Sequence, residues 1–115
     1  MENEIEVKFS QDAYEVFAYL AKKSIHSKIE RSIFNAIEKK IQLIRDNPHM
    51  GDSIAKVLIP REYKNKYLAK NLYRVELPNY WRMLYTISDE ELKIIAFIID
   101  VVDHKDYDKK FGYRK

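Results

Sequence analysis

Arg74 and Arg82 lie on either side of the turn signal Pro78-Asn79, with Glu76 between them, and Asp100 and His104 follow at the end of an apolar run. Guanidiniums are planar, always charged and matched to phosphate oxygens. An imidazole moves protons near neutral pH. Such a set suits RNA cleavage by attack of the 2′-hydroxyl on its neighbouring phosphate. That reaction needs a proton acceptor, a donor for the 5′-oxygen, and positive charge where the phosphorane develops. It acts on RNA and spares DNA, which lacks the nucleophile, and it requires no metal.

Each of these residues also has a structural reading. Arg82 can pair with Glu76 across two strands, Arg74 can be an exposed strand residue, and His104 can be a surface residue at a strand end. His26 and His49 are read as structural. Asp100, Asp103, His104, Asp106 and Asp108 are hard ligands, but strand alternation sends Asp100 and Asp103 to opposite faces, so no metal is expected. Between Lys56 and Arg82 there are seven basic and two acidic residues, and the rest of the chain is net negative although the whole carries +3. Lys56, Lys64, Lys66 and Lys70 belong to this segment, and Tyr63, Tyr67, Tyr73, Tyr80 and Trp81 are interleaved with it. Basic and aromatic side chains in alternation suit single-stranded nucleic acid; the other reading is a solvated basic loop with its tyrosines turned inward.

The elements that must position these residues follow from periodicity. Ile5-Glu-Val-Lys-Phe-Ser10 alternates as a half-buried strand does. Ser10 and Asp12 offer capping oxygens to a helix whose apolar positions are Ala13, Val16, Phe17 and Leu20. A second helix opens on the capping box Ser27-Lys-Ile-Glu30, carries the stripe Ile29, Ile33, Ile37, Ile41 and Ile44, and ends at Asp46-Asn47-Pro48. Residues 49–71 read as a long loop with a helical turn around Arg61 to Lys66. Strands at Leu72–Leu77, Trp81–Ser88 and Leu92–Val102 then form two hairpins, and a polar end follows from Asp103. The expectation is one α+β domain over residues 1–115: an N-terminal strand, then two helices packed on one face of a mostly antiparallel sheet that three C-terminal strands complete.

Alternation sorts the strands. Tyr73, Val75 and Leu77, then Trp81, Met83, Tyr85 and Ile87, then Ile95, Phe97, Ile99 and Val101 should lie beneath the helices. The opposite face would gather Arg74, Glu76, Arg82, Asp100 and His104 in the open. This requires an odd loop, Pro78-Asn79-Tyr80, with Leu77 opposite Trp81.

Composition narrows the rest. The chain of 115 residues has no cysteine and two glycines, which excludes thiol chemistry, disulfide scaffolds and glycine-rich phosphate loops. Its longest apolar run, Ile94 to Val102, is about half the ~20 residues of a membrane span. Met1-Glu-Asn-Glu is acidic with no apolar stretch behind it, so the expectation is a cytoplasmic protein without a cofactor.

The stretch Asn71-Leu-Tyr-Arg-Val-Glu-Leu-Pro-Asn-Tyr-Trp-Arg-Met-Leu-Tyr-Thr-Ile87, followed by Ile98-Ile-Asp-Val-Val-Asp-His-Lys-Asp-Tyr107, resembles the RelE/ParE toxin superfamily, and so does the helix–helix–loop prelude with Asn47-Pro48 and Gly51. The resemblance implies a type II toxin of a toxin–antitoxin pair. In the RelE branch that is a metal-independent endoribonuclease that cuts mRNA in the ribosomal A site, and the partner is a small antitoxin. Carried over by position, Arg74 and Arg82 match the phosphate-binding residues, His104 a general acid, and Tyr107 or Tyr113 a C-terminal aromatic that orients RNA. Lys56 and Lys70 lie where loop lysines contact rRNA or mRNA. Glu76 departs from the pattern, standing where RelE-type toxins often have another lysine; it would serve as base or neutralise the site. The resemblance also implies two alternatives, a ParE-like toxin that inhibits DNA gyrase without catalysis, and an inactive member that only binds antitoxin or RNA.

Overall fold

The computed structural model describes residues 4–90 and 92–112. Its elements in chain order are β1 (Glu4–Phe9), α1 (Gln11–Lys23), α2 (Lys28–Asp46), the two-residue β2 (Asp52–Ser53), a 3-10 turn (Lys56–Leu58), α3 (Arg61–Tyr67), β3 (Tyr73–Glu76), a second short turn (Pro78–Tyr80), β4 (Arg82–Glu90), β5 (Lys93–Val102) and α4 (His104–Phe111). The strands form one sheet in the order β1-β5-β4-β3-β2. β1 runs parallel to β5 and the remaining pairs are antiparallel. This is the α+β arrangement that the patterning predicts. Among the described residues no helix is long and apolar enough to cross a membrane.

Local chemistry sets the helix starts. The Ser10 hydroxyl accepts from the Ala13 N–H at 3.0 Å, capping α1, and donates to the Ile99 carbonyl at 2.6 Å, which ties that cap to the central strand β5. Ser27 and Glu30 form the capping box at the start of α2, joined side chain to side chain and by the Glu30 N–H to the Ser27 hydroxyl. Helix propensity is modest for the β-branched residues of α2, so burial of Ile33, Ile37, Ile41 and Ile44 against the sheet supplies its stability. Ile29 does not join that stripe. It lies in the first turn of the helix and is 57% exposed.

The hairpin loop is as required. The Leu77 N–H donates to the Trp81 carbonyl at 2.9 Å, and Glu76 stands opposite Arg82. The face assignment holds for β3 and β4, where Val75, Met83 and Tyr85 enter the core beneath the helices. It fails for the first part of β5. The pairing slips between Leu84↔Asp100 and Tyr85↔Ile98, so Ile99 is an extra residue in a β-bulge. Before the bulge Ala96 and Ile98 face the helices, and after it Val101 does; Ile99 and Phe97 pack on the other side.

That other side is not open either. Residues 49–71 fold back over it as the 3-10 turn and α3, and the polar end forms α4. Together they bury Ile59, Tyr63, Leu72, Leu84, Ile99, Val102 and Tyr107 in a second apolar cluster. The expectation of an uncovered sheet face is therefore overturned. Even residues such as Leu72 and Leu84 are apolar because they need this cover.

Candidate functional site

Covering the second face pushes its charged residues to one edge, where β3, β4 and the start of α4 meet. Arg74 and Arg82 lie on adjacent strands, and Glu76, opposite Arg82, reaches both. Its Oε2 is 3.2 Å from Arg74 Nε and its Oε1 is 3.5 Å from Arg82 Nε. Arg74 Nη1 donates to the Tyr107 hydroxyl at 3.0 Å, and its Nη2 stands 3.5 Å from Asp52 Oδ2. That hydrogen bond holds the Arg74 guanidinium more firmly protonated than usual. Asp52 reaches Arg74 because β2 pairs Asp52 directly with it.

Tyr107 is the floor of this edge. Its ring is buried, with Arg82 Cζ 4.8 Å and Arg74 Cζ 6.0 Å from the centroid, so both cations lie against the one aromatic ring. Phe111, one helical turn later, stacks on Tyr107 with centroids 4.4 Å apart. α4 exists to place them: Asp103 caps it by accepting from the Asp106 N–H at 2.8 Å. His104 is therefore the first residue of a helix rather than an extension of β5. Its Nδ1 is 3.4 Å from Arg82 Nη1 and its Nε2 is 3.2 Å from Asp108 Oδ2. Arginine only donates, so this geometry presents a bare Nδ1 to Arg82 and an Nε2 proton to Asp108.

The turn before β4 completes the edge. Asn79 and Tyr80 have φ of +60° and +63°. Asn tolerates this left-handed region, whereas for a bulky residue it costs about 1 kcal/mol. The conformation directs the Tyr80 carbonyl to Arg82 Nη1 at 2.6 Å and sets the Tyr80 ring 5.9 Å from the His104 ring.

Arg74, Glu76, Arg82, His104 and Tyr107 are thus brought together. The lysines are not. Lys56 and Lys64 are exposed on the 3-10 turn and α3, and Lys66 is engaged by Asp12 Oδ2 at 2.7 Å, an oxygen that the Tyr67 hydroxyl also reaches. Those contacts lower the Asp12 pKa and raise that of Lys66. Lys70 lines a cavity of about 670 Å³ with Lys8 and Phe97, beside residues 86–90 at the far end of β4. Tyr113 lies outside the described residues.

Most of the interleaved tyrosines turn inward. Tyr63 is buried and donates to Asp100 Oδ2 at 2.7 Å, and Tyr73 stacks on the buried Tyr85 with centroids 5.3 Å apart. Asp100 is consequently a half-buried acceptor for Tyr63 of α3, 3.8 Å from Lys110 of α4, and no part of the charged edge. Among the described residues no group of three or more His, Asp or Glu side chains converges as a metal set.

Asp52 escaped sequence reasoning, and Tyr80 entered it only as one of the aromatics interleaved with the basic segment, with no place at this edge. Asp52 is hidden in an aperiodic segment, with no signal for a two-residue strand. Tyr80 had a signal in its place after Pro78-Asn79, where strand-connecting turns favour Gly.

The arrangement offers phosphate donors, a carboxylate and an imidazole within one small edge over an aromatic floor. No curated protein and no solved structure matches the chain. The family model described as the ParE toxin of type II toxin-antitoxin system, parDE, matches residues 4–106. The chain therefore belongs to that family: it is a type II toxin of the RelE/ParE superfamily, whose counterpart is a cognate antitoxin.

Proposed function

We propose that this toxin is an endoribonuclease that cuts mRNA on the ribosome and so stops translation. The observation that carries the reading is the charged edge itself, where Glu76 touches both guanidiniums and His104 lies 3.4 Å from one of them. Arg74 and Arg82 bind the scissile phosphate and stabilise the charge that grows on it. Glu76 accepts the proton of the 2′-hydroxyl as that oxygen bonds to phosphorus. The bond to the 5′-oxygen then breaks, and His104, once the phosphate draws Arg82 from its bare Nδ1 and that nitrogen takes a proton from solvent, passes this proton to the 5′-oxygen. Tyr107 touches no reacting atom and positions the two arginines from beneath. Lys56 and Lys64, exposed nearby in the chain, and Lys70 at the far end suit contacts with rRNA or mRNA backbone. Lys66 joins them only by leaving Asp12. Ribosomal RNA would align the substrate, so free protein is expected to be a poor nuclease.

A second reading draws support from the same edge. Glu76 and Asp52 already neutralise Arg74, as suits a non-catalytic toxin that acts by binding gyrase. Induction in cells with mapping of transcript ends separates the two. New ends within reading frames, lost at least ~10²-fold in Arg82→Ala, support the nuclease. Intact transcripts together with inhibited supercoiling refute it.

A further inference from the structure

Tyr80 is the residue at this edge that packing does not explain. The residue is 74% exposed, and its φ of +63° belongs to a region that Gly occupies freely and Asn tolerates. The bonds that close the turn, Leu77 N–H to Trp81 O at 2.9 Å and Trp81 N–H to Pro78 O at 3.3 Å, are backbone to backbone and need no side chain at position 80. The fold therefore keeps a bulky aromatic residue where a small one would fit it better, and that residue is presented to solvent.

What the conformation achieves lies at the charged edge. The Tyr80 carbonyl receives Arg82 Nη1 at 2.6 Å, and the ring stands 5.9 Å from the His104 imidazole, tilted by 56°. The backbone carbonyl of Tyr80 thus holds the guanidinium while its exposed ring adjoins the imidazole. Single-stranded RNA is held by such groupings, with an unstacked base on an aromatic ring and its phosphate on a neighbouring cation. Tyr107 cannot take this part, because its ring is buried beneath the arginines.

We infer that Tyr80 is a base-stacking residue of the RNA site, gripping the nucleobase next to the scissile phosphate so that this phosphate rests at Arg82 and His104. The inference rests on the nuclease reading and adds to it a determinant of which bonds are cut. It has a consequence that a structural role lacks: a side chain better suited to the turn binds RNA worse.

The test compares wild type with Tyr80→Asn, which suits the left-handed turn and has no ring, and Tyr80→Phe, which keeps the ring. Three quantities are measured: thermal midpoint, affinity for a short fluorescent 2′-O-methyl single-stranded RNA, and the base preference at mapped transcript ends. Tyr80→Asn should melt at or above the wild-type temperature, bind the RNA about tenfold more weakly, and lose its preference at one position beside the cut. The salt dependence of its binding should stay unchanged, since no phosphate contact is removed. Tyr80→Phe should behave as wild type.

Unchanged RNA affinity in Tyr80→Asn overturns the inference, as does a loss that only follows a lower melting temperature. Weakened antitoxin binding with RNA binding intact also overturns it, in favour of a protein contact. Wild type that binds the RNA but leaves transcripts whole overturns the nuclease reading alone. Wild type that cuts transcripts with ends and affinity indifferent to Tyr80→Asn overturns the stacking alone.

Discussion

Replacing Glu76 by Gln separates the two things a carboxylate between two arginines can do. The change keeps the shape and removes one negative charge from a group that is 54% exposed, while its partners are 29% and 15% exposed. Ion pairs open to water contribute about 0–1 kcal/mol each, so losing both should cost roughly 1 kcal/mol of stability. For a domain of this size that is about 4 °C in Tm. The group Arg74, Arg82, Glu76 and Asp52 moves from balanced charge to a net positive one. At ~5 Å from a phosphate, with an effective dielectric constant near 40, that charge is worth about 1–2 kcal/mol, or roughly tenfold tighter RNA binding. The chemical step should move the other way, slowing about 10²–10⁴-fold when the proton acceptor is gone. Anisotropy with an uncleavable 2′-O-methyl RNA reads the first effect, and single-turnover cutting on programmed ribosomes reads the second. A Glu76→Gln protein that cuts as fast as wild type would refute the base assignment. One that binds RNA more weakly would show that Glu76 serves to hold the arginines in place.

Two further perturbations probe the frame around the site. The buried Tyr85 hydroxyl donates to the Pro48 carbonyl at 2.6 Å and accepts from the Gly51 N–H at 3.0 Å, fixing the corner that leads into β2 and so to Asp52. Tyr85→Phe strands both backbone groups and should cost about 2 kcal/mol, seen in urea as a lower midpoint at unchanged slope. Burial raises the Asp100 pKa above the ordinary carboxylate value, even though Tyr63 donates to it and Lys110 Nζ is 3.8 Å away. The folded state therefore takes up this proton at higher pH than the unfolded chain, so the site costs stability above the folded value and recovers it as pH falls through that range. Asp100→Asn should raise Tm at neutral pH, with an advantage over wild type that shrinks on acidification. A gap that widens instead would show that Tyr63 and Lys110 outweigh burial.

The parts of this fold that can be read from sequence are those in which one residue type answers one local need. Ser10 and Ser27 announce helix starts because an N-terminal turn lacks acceptors for its N–H groups, and both hydroxyls do that work here. The odd hairpin loop follows from alternation on its two flanks, and it brings Arg74, Glu76 and Arg82 together as expected. What alternation cannot show is an insertion into the ladder. Ile99 is as apolar as its neighbours, so the bulge that turns Ala96 and Ile98 toward the helices leaves no mark in the residue types. Nor does a segment without periodicity declare that it will cover a face. The signs were Ile59, Tyr63 and Ala69 in residues 49–71 and Tyr107 and Phe111 in the polar end, each apolar or aromatic amid charge, which reads equally as surface aromatics meant for RNA. Their burial decides the geometry of the site. Because α3 and α4 occupy the centre of that face, the arginines are confined to its edge, and Tyr107 becomes their floor rather than a ring offered to the substrate. An aromatic residue for the substrate must then come from outside the covered region, and the strained turn before β4 supplies Tyr80.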